Sequence, residues 1–222
     1  MHELIVSSRK QYLEFAAQYN AGGYCFGFCL KWLGSVLDRA KRSKYDNFRK
    51  EGYFPDPNDY SAITAFMERA RKKQERYLQM EKTYIKETGK KPVAGDIMAK
   101  HQQRRQEESA IKMSMPGIHY RFFDFKQNPS AGITNFANTG CNLVHSRERQ
   151  GVIMLYTYDR LAGGIGNHAI AIIGVEPQKS YLFDPNVGVY MITAENSISD
   201  IKNIMAMKYT NVRDISLVVI SE

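Results

Sequence analysis

The sequence lacks most of the features that mark membrane, secreted and metal-binding proteins. It has only three cysteines among 222 residues, at scattered positions, so it offers neither a disulfide framework nor a zinc site. No apolar run approaches the length of a membrane span, and residues 1–6 lack the basic and apolar regions of a secretory signal. No repeat or low-complexity tract is present. The sequence therefore predicts a single domain of residues 1–222 with reduced cysteine thiols, no metal and no cofactor.

Acidic residues are outnumbered by basic ones, which gives a net charge of +8. Lysine and arginine cluster at residues 39–44, 69–73 and 86–91. Such clusters suit an anionic membrane surface, a cell wall or nucleic acid. Glutamates are interleaved with the bases as on exposed helices, and no nucleic-acid motif accompanies them. We therefore interpret the clusters as solvated helix faces and predict no nucleic-acid partner.

Helical periodicity dominates the first half of the chain, and strand alternation dominates the second half. A helical insertion at residues 59–112 is predicted to begin at an Asp59 cap and to contain two long helices separated at Gly89. Helices are predicted at 8–19, 26–37, 60–87, 93–112 and 197–207, and strands at 119–125, 152–158, 169–175, 180–183, 188–193 and 214–221. This order predicts an α+β fold, in which an N-terminal helical half packs on a C-terminal antiparallel sheet.

Cys25 stands where a helix is predicted to begin. Gly22-Gly23 is a break, and a helix is predicted at 26–37 because four apolar residues share one face at helical spacing: Phe26, Leu30, Leu33 and Leu37. The exposed N–H groups and positive dipole end of a helix N-terminus favour an anion such as a thiolate. A thiol attacks as the thiolate, so this position suits a nucleophile.

His168 and Asp184 are predicted to meet through a β-hairpin. His168 opens an apolar run, and Asp184 ends the next run, beyond a turn at residues 176–179. A hairpin across that turn makes the two side chains neighbours, so that Asp184 can accept from one ring nitrogen and leave the other for the thiol. Thiol, base and carboxylate together are the components of a cysteine hydrolase.

A cysteine hydrolase also needs hydrogen-bond donors for the oxyanion that forms when the thiolate attacks a carbonyl group, and the sequence defines these donors less well. The backbone N–H of Cys25 is one candidate; the side chain of Asn20 is a second, with Gln18 as its rival. Cys29 and Cys141 are interpreted as small core residues. Two further pairs, His119 with Asp124 and Cys141 with His145, are interpreted as structural.

The motifs around Cys25, His168 and Asp184 resemble those of the YopT-type cysteine peptidases, the C58 group of papain-like proteases. The similarity lies in Gly-x-Cys before a tryptophan-bearing helix, then Asn-His-Ala, then Phe-Asp-Pro-Asn sixteen residues on. It implies a papain-like fold, with Cys25 as nucleophile, His168 as base, Asp184 as orienting residue and Asn20 as oxyanion donor. It also implies a bacterial effector, held in the cytoplasm until a specialised secretion system exports it, without a cleaved signal peptide, into a target cell.

We therefore expect a cysteine protease that cleaves amide bonds in a protein or peptide-like substrate, with an immunity or chaperone protein as a possible partner. Family members delivered into host cells carry a long leader before the catalytic core, and a nucleophile at position 25 is expected to leave no room for one. This favours an alternative: a papain-like amidase, peptidoglycan hydrolase, deamidase or acyltransferase delivered as an antibacterial toxin. A second alternative is a non-enzymatic basic helical module that binds an acidic partner or a membrane surface.

Overall fold

A seven-stranded antiparallel sheet organises the molecule, in a computed structural model that describes residues 2–18, 25–37, 52–89, 97–141 and 150–221. In chain order the strands are β1 His2–Ser7, β2 His119–Phe125, β3 Gln150–Asp159, β4 Ile165–Glu176, β5 Lys179–Asp184, β6 Gly188–Thr193 and β7 Thr210–Ser221. Their order across the sheet is β1-β6-β5-β4-β3-β7-β2. The strand that carries His168, β4, is therefore central and is paired along both of its edges.

Helices cover both faces of this sheet. The α-helices are α1 Arg9–Gln18, α2 Cys25–Leu37, α3 Tyr60–Thr88, α4 Ile97–Ser114, α5 Pro129–Cys141 and α6 Ser197–Ala206. Because neighbouring residues of a strand point to opposite faces, β4 contributes side chains to two hydrophobic cores, one on each face of the sheet. Ala169 and Ala171 join the core with α1–α4, whereas Ile170 and Ile172 join the core with α5 and α6.

Helix α2 lies wholly inside the first core. All 13 of its residues are buried, as expected for a mostly apolar helix, and its one charged residue, Lys31, donates to the Ser35 hydroxyl at 2.8 Å. Its single tryptophan, Trp32, donates from Nε1 to the carbonyl oxygen of Gly52 at 2.8 Å, so the one polar atom of that ring has a partner. The helix packs against α3 and against β4, which brings its first turn to the strand that carries the histidine.

The long helix α3 begins and ends as its sequence predicts. The Asp59 carboxylate accepts from the Ala62 N–H at 3.0 Å, and Gly89 ends the helix in the left-handed conformation. Phe66 and Met67 of α3 and Ile111 of α4 contribute to the same core as α2. These helices therefore supply part of the packing around α2. The division of the chain into a single domain with a helical insertion at 59–112 stays a prediction.

Two elements were not predicted from the sequence, the edge strand β1 and helix α5. Helix α5 has the start signals of a helix, since Asn128 accepts from the Ala131 N–H at 3.0 Å and Pro129 is the first helical residue. Glycines and short polar residues make up much of its length, and these are weak helix formers. They are present because α5 lies very close to the sheet: a Cβ on Gly140 would be 2.3 Å from Ile172 Cγ2.

Candidate active site

Cys25 is the first residue of α2 and is 8% exposed. One turn further along, the Cys29 thiol donates to the Ala169 carbonyl oxygen at 3.5 Å, which fixes α2 against the middle of the sheet. The first N–H groups of a helix have no partner within the helix, so Cys25 lies where the positive end of the helix dipole is exposed. The position predicted for the thiol from the sequence is the position that it occupies.

His168 and Asp184 are brought together by the β4–β5 hairpin. The strands join through the two-residue turn Pro177-Gln178, and Ala171 pairs with Phe183. Continued by one pair, this register sets Asp184 opposite Ile170, so Asp184 and His168 are diagonal neighbours on one face of the sheet. His168 Nε2 lies 2.9 Å from Asp184 Oδ1. The hairpin contact predicted from the sixteen-residue spacing is present, as a diagonal pair instead of a directly opposed one.

Asp184 is held by three donors. His168 Nε2 and the Asn186 N–H both reach Oδ1 at 2.9 Å, and the Tyr209 hydroxyl donates to Oδ2 at 2.9 Å. Asn186 Nδ2 in turn donates to the Tyr209 oxygen at 3.1 Å. Burial alone raises the pKa of Asp184, but the charge of His168 and these hydrogen bonds outweigh it, and the pKa is lowered. The carboxylate is therefore ionised and fixed in orientation.

The ring of His168 is enclosed by aromatic side chains. It stacks on Tyr209 with ring centroids 4.9 Å apart, and the edge-on ring of Tyr156 is 5.7 Å away. Burial alone lowers the pKa of His168, but the charge of Asp184, with hydrogen bonds to Asp184 and Cys25 and the charge of Cys25, raises it to about 10. The imidazolium form therefore persists at neutral pH, with Nε2 bound to Asp184 and Nδ1 left for the thiol.

The three cysteines have different surroundings. Cys25 is hydrogen-bonded to His168. Burial, together with the charges of Cys25 and Asp184, raises the pKa of Cys29 well above its usual value. Cys141 ends α5 in the core on the other face of the sheet, and burial raises its pKa as well. Cys29 and Cys141 therefore remain neutral thiols in the core, whereas Cys25 is the cysteine that contacts His168.

Other sequence candidates are placed elsewhere or not described. Asn20, the predicted oxyanion donor, and the side chain of its rival Gln18 lie outside the described residues, as does His145. His119 and Asp124 lie on the exposed surface of β2, and Asp124 accepts from Arg104 at 2.8 Å. An odd separation along one strand turns their side chains to opposite faces, so they form no pair.

The basic cluster at 69–73 is partly neutralised by its own helix. Arg71 is paired with Glu68 at 3.0 Å and with Glu75 one turn on. Lys73 donates from Nζ to the Ser114 carbonyl oxygen at 3.2 Å, across to the end of α4. The cluster at 39–44 lies outside the described residues.

Tyr209 and Tyr156 are site residues that the sequence did not reveal. Tyr209 follows α6, and the turn after this helix is closed by the Tyr209 N–H, which donates to the Met205 carbonyl oxygen at 2.8 Å. Nothing in the local sequence relates a tyrosine at that position to Asp184, 25 residues earlier. Asn186 was visible in the sequence only as part of a turn signal, and that turn is the means by which it binds Asp184.

Among the described residues, no cluster of three or more histidine, cysteine, aspartate or glutamate side chains could hold a metal ion. Within the same part of the chain, no helix combines the length and the apolar character needed to cross a bilayer.

Known protein families and solved structures include proteins that are similar to this chain. The model of the Peptidase C58 family, described as Yersinia/Haemophilus virulence surface antigen, matches residues 10–216. The crystal structure of the Pseudomonas avirulence protein AvrPphB is similar, with a TM-score of 0.54 and 15% identity over 91% of this chain and 93% of that chain. The likeness confirms the predicted papain-like α+β fold. The cysteine protease-like domain PatoxP of the Photorhabdus asymbiotica toxin PaTox superposes with a TM-score of 0.27 and 11% identity over 95% of this chain and 88% of that chain. Comparison with curated protein sequences gives no match.

Proposed function

Because this chain belongs to the Peptidase C58 family, as its motifs suggested, we propose that it is a cysteine endopeptidase that acts on protein substrates. Cys25 is the nucleophile, His168 is the general acid and base, and Asp184 orients the imidazole. The observation that carries the proposal is the continuous contact from the Cys25 thiol through the His168 ring to the Asp184 carboxylate at 2.9 Å.

The first half of the proposed reaction begins from a thiolate on Cys25 and an imidazolium on His168. The Cys25 thiolate attacks the carbonyl carbon of the scissile amide, and the carbonyl oxygen becomes an oxyanion. The Cys25 N–H at the start of α2 is one donor to that oxyanion, and Asn20 is the proposed second. The His168 imidazolium then gives its proton to the leaving nitrogen, the C–N bond breaks, and a thioester to Cys25 remains.

The second half of the proposed reaction needs His168 as a base. The interactions that raise the pKa of His168 explain how it becomes one. The charge of Cys25 and the hydrogen bond to Cys25 both raise the pKa of His168. Formation of the thioester removes the Cys25 charge, so the neutral imidazole can accept a proton from water. The resulting hydroxide attacks the thioester, and the thiolate leaves. His168 keeps the proton, which restores the starting ion pair, while Asp184 stays ionised throughout.

Thiol alkylation against pH tests the nucleophile and the base. Iodoacetamide labelling would be followed by mass spectrometry in the wild type, Cys25→Ala and His168→Ala, with Cys29 and Cys141 as internal controls. We expect Cys25 to react well below pH 7 and faster than both controls, and His168→Ala to remove that low-pH reaction. Reaction of Cys25 no faster than an ordinary thiol with a pKa near ~8.5 would refute the proposal.

Two observations bear on where the enzyme acts. The family is that of a Yersinia/Haemophilus virulence surface antigen, and AvrPphB is an avirulence protein, which supports a role as an exported effector that acts in the cells of another organism. The net charge of +8 would also suit an anionic cell wall, and a papain-like site can hydrolyse other amides. Incubation with host-cell protein and with purified peptidoglycan distinguishes the two: cleaved protein supports the endopeptidase, and released muropeptides support the antibacterial amidase.

A further inference from the structure

A glutamine on α3 binds the first turn of the nucleophile helix. The Gly27 N–H donates to Gln74 Oε1 at 2.7 Å, and Gln74 is only 4% exposed. Gly27 is the third residue of α2, so its N–H is one of those that have no acceptor within the helix. Tyr24, which precedes α2 in the sequence, is not of a residue type that caps a helix N-terminus. The acceptor for this turn therefore comes from another helix.

The contact is fixed by close backbone packing. A Cβ added to Gly27 would lie 2.5 Å from the Ala70 carbonyl oxygen and 2.7 Å from both the backbone nitrogen and the Cβ of Gln74. Only a glycine lets α2 and α3 approach this closely. Gln74 is thus held beside the helix two residues from Cys25, at a point where neither helix can shift without breaking the contact.

The acceptor carries no charge, which matters beside a thiolate. The first turn of α2 has no acidic residue. Among the described residues, His168 is hydrogen-bonded to Cys25, and Asp184 lies on the other side of the imidazole. Tyr156 and Cys29 are also titratable and interact with Cys25, and burial raises the pKa of both well above the usual value. An amide oxygen satisfies the Gly27 N–H without placing a negative charge near the sulfur.

We propose that Gln74 is a positioning residue for the Cys25 chemistry: its side-chain oxygen anchors the first turn of α2 and thereby holds the thiol against His168. The catalytic consequence rests on the proposed function, whereas the anchoring of the helix does not. The proposal gives α3 a role in the site beyond packing, through one side chain that never touches substrate.

Three substitutions test it. Gln74→Asn keeps the amide but shortens the side chain, so the oxygen no longer reaches Gly27. Gln74→Glu keeps an acceptor of the same length and adds a charge. Gln106→Asn is the matched control, because Gln106 on α4 is also 4% exposed and its Nε2 has no hydrogen-bond partner among the described residues. The readouts are hydrogen exchange of the Gly27 amide by NMR, Cys25 alkylation against pH, and the melting temperature.

We expect Gln74→Asn to speed exchange of the Gly27 amide about tenfold and to slow Cys25 alkylation at pH 6 about tenfold, the size of one lost hydrogen bond. Gln106→Asn should change neither. Gln74→Glu should keep the Gly27 amide protected, because it retains an acceptor, and should slow Cys25 alkylation at pH 6, because it places a negative charge at the first turn of α2.

Equal losses of melting temperature in Gln74→Asn and Gln106→Asn, with a wild-type alkylation profile in both, would overturn the proposal and leave Gln74 as a packing residue. Absence of low-pH reactivity in the wild type is a different outcome, since it refutes the proposed function. The exchange experiment then still decides the anchoring: faster Gly27 exchange in Gln74→Asn alone supports it, and unchanged exchange overturns it.

Discussion

The hydroxyl of Tyr209 offers a way to separate the stability of the site from its reactivity. Tyr209→Phe removes the bond of 2.9 Å to Asp184 Oδ2 but keeps the ring that stacks on His168. Asp184 is 2% exposed, so water cannot easily replace the lost donor. Hydrogen bonds to buried charged groups contribute about 1.5–3 kcal/mol, so the free energy of unfolding should fall by about 2 kcal/mol. For a chain of this size that loss lowers the melting temperature by about 5 °C.

Reactivity should respond much less, because the bond from His168 Nε2 to Asp184 Oδ1 is untouched by this substitution. We expect Cys25 alkylation at pH 6 to stay within about threefold of the wild type, whereas His168→Ala abolishes it. Urea unfolding and iodoacetamide labelling of the same preparations measure both quantities.

Tyr158→Phe is the control for this experiment. The Tyr158 ring packs edge-on against Tyr209 with centroids 4.9 Å apart, but its hydroxyl is not among the described donors to Asp184. It should change the free energy of unfolding by less than about 0.5 kcal/mol. The reasoning is refuted if Tyr209→Phe is as stable as Tyr158→Phe, or if Tyr209→Phe loses reactivity to the same degree as His168→Ala.

Three further predictions concern packing, pH and capping. Gly27→Ala should lower the free energy of unfolding by about 1–3 kcal/mol despite the better helix propensity of alanine, because its Cβ would lie 2.5 Å from the Ala70 carbonyl oxygen. Gly34→Ala on the same helix should be neutral or stabilising, because its Cβ would lie at an ordinary 3.6 Å from Met115. Chemical denaturation of the two variants measures both changes. The His168 pKa is raised from 6.5 to about 10 on folding, so its contribution to stability is complete below pH ~6.5 and is lost towards pH ~10. Urea titrations of the wild type and His168→Ala from pH 6 to pH 10 should therefore converge, and a constant difference would contradict this. Asp59→Ala should lower the free energy of unfolding by about 1 kcal/mol, because it removes the side-chain cap of α3. Asp59→Asn should lower it by less than half as much, because asparagine also caps a helix. Thermal unfolding measures both losses, and equal losses would exclude the capping bond as the cause.

Features with a local cause were predictable from the sequence. The hairpin that carries His168 and Asp184 follows from two apolar runs and a turn between them, and its sixteen-residue spacing sets the contact. The ends of α3 follow from a side-chain cap at Asp59 and a left-handed glycine at Gly89, both of which act within one helical turn. The buried position of α2 follows from its mostly apolar composition.

Features with a distant cause were not predictable. Tyr209 joins the site because α6 returns the chain beside the end of β5, which no local pattern encodes. Helix α5 was missed because glycines that weaken a helix in isolation are the residues that let it lie on the sheet, as Gly140 does beside Ile172. Gln74 looked like one more polar residue on a solvated helix, and only the docking of α3 on α2 gives it a partner.

The contact between the Cys29 thiol and the Ala169 carbonyl oxygen joins residues 140 positions apart in the chain. Contacts of such long sequence separation form late and slowly, because a large loop must close first. His168, one residue before Ala169, meets Cys25 only after that closure. Until then Cys25 lacks its contact with the His168 imidazole. The reaction proposed for Cys25 therefore depends on a contact that only the nearly complete fold supplies.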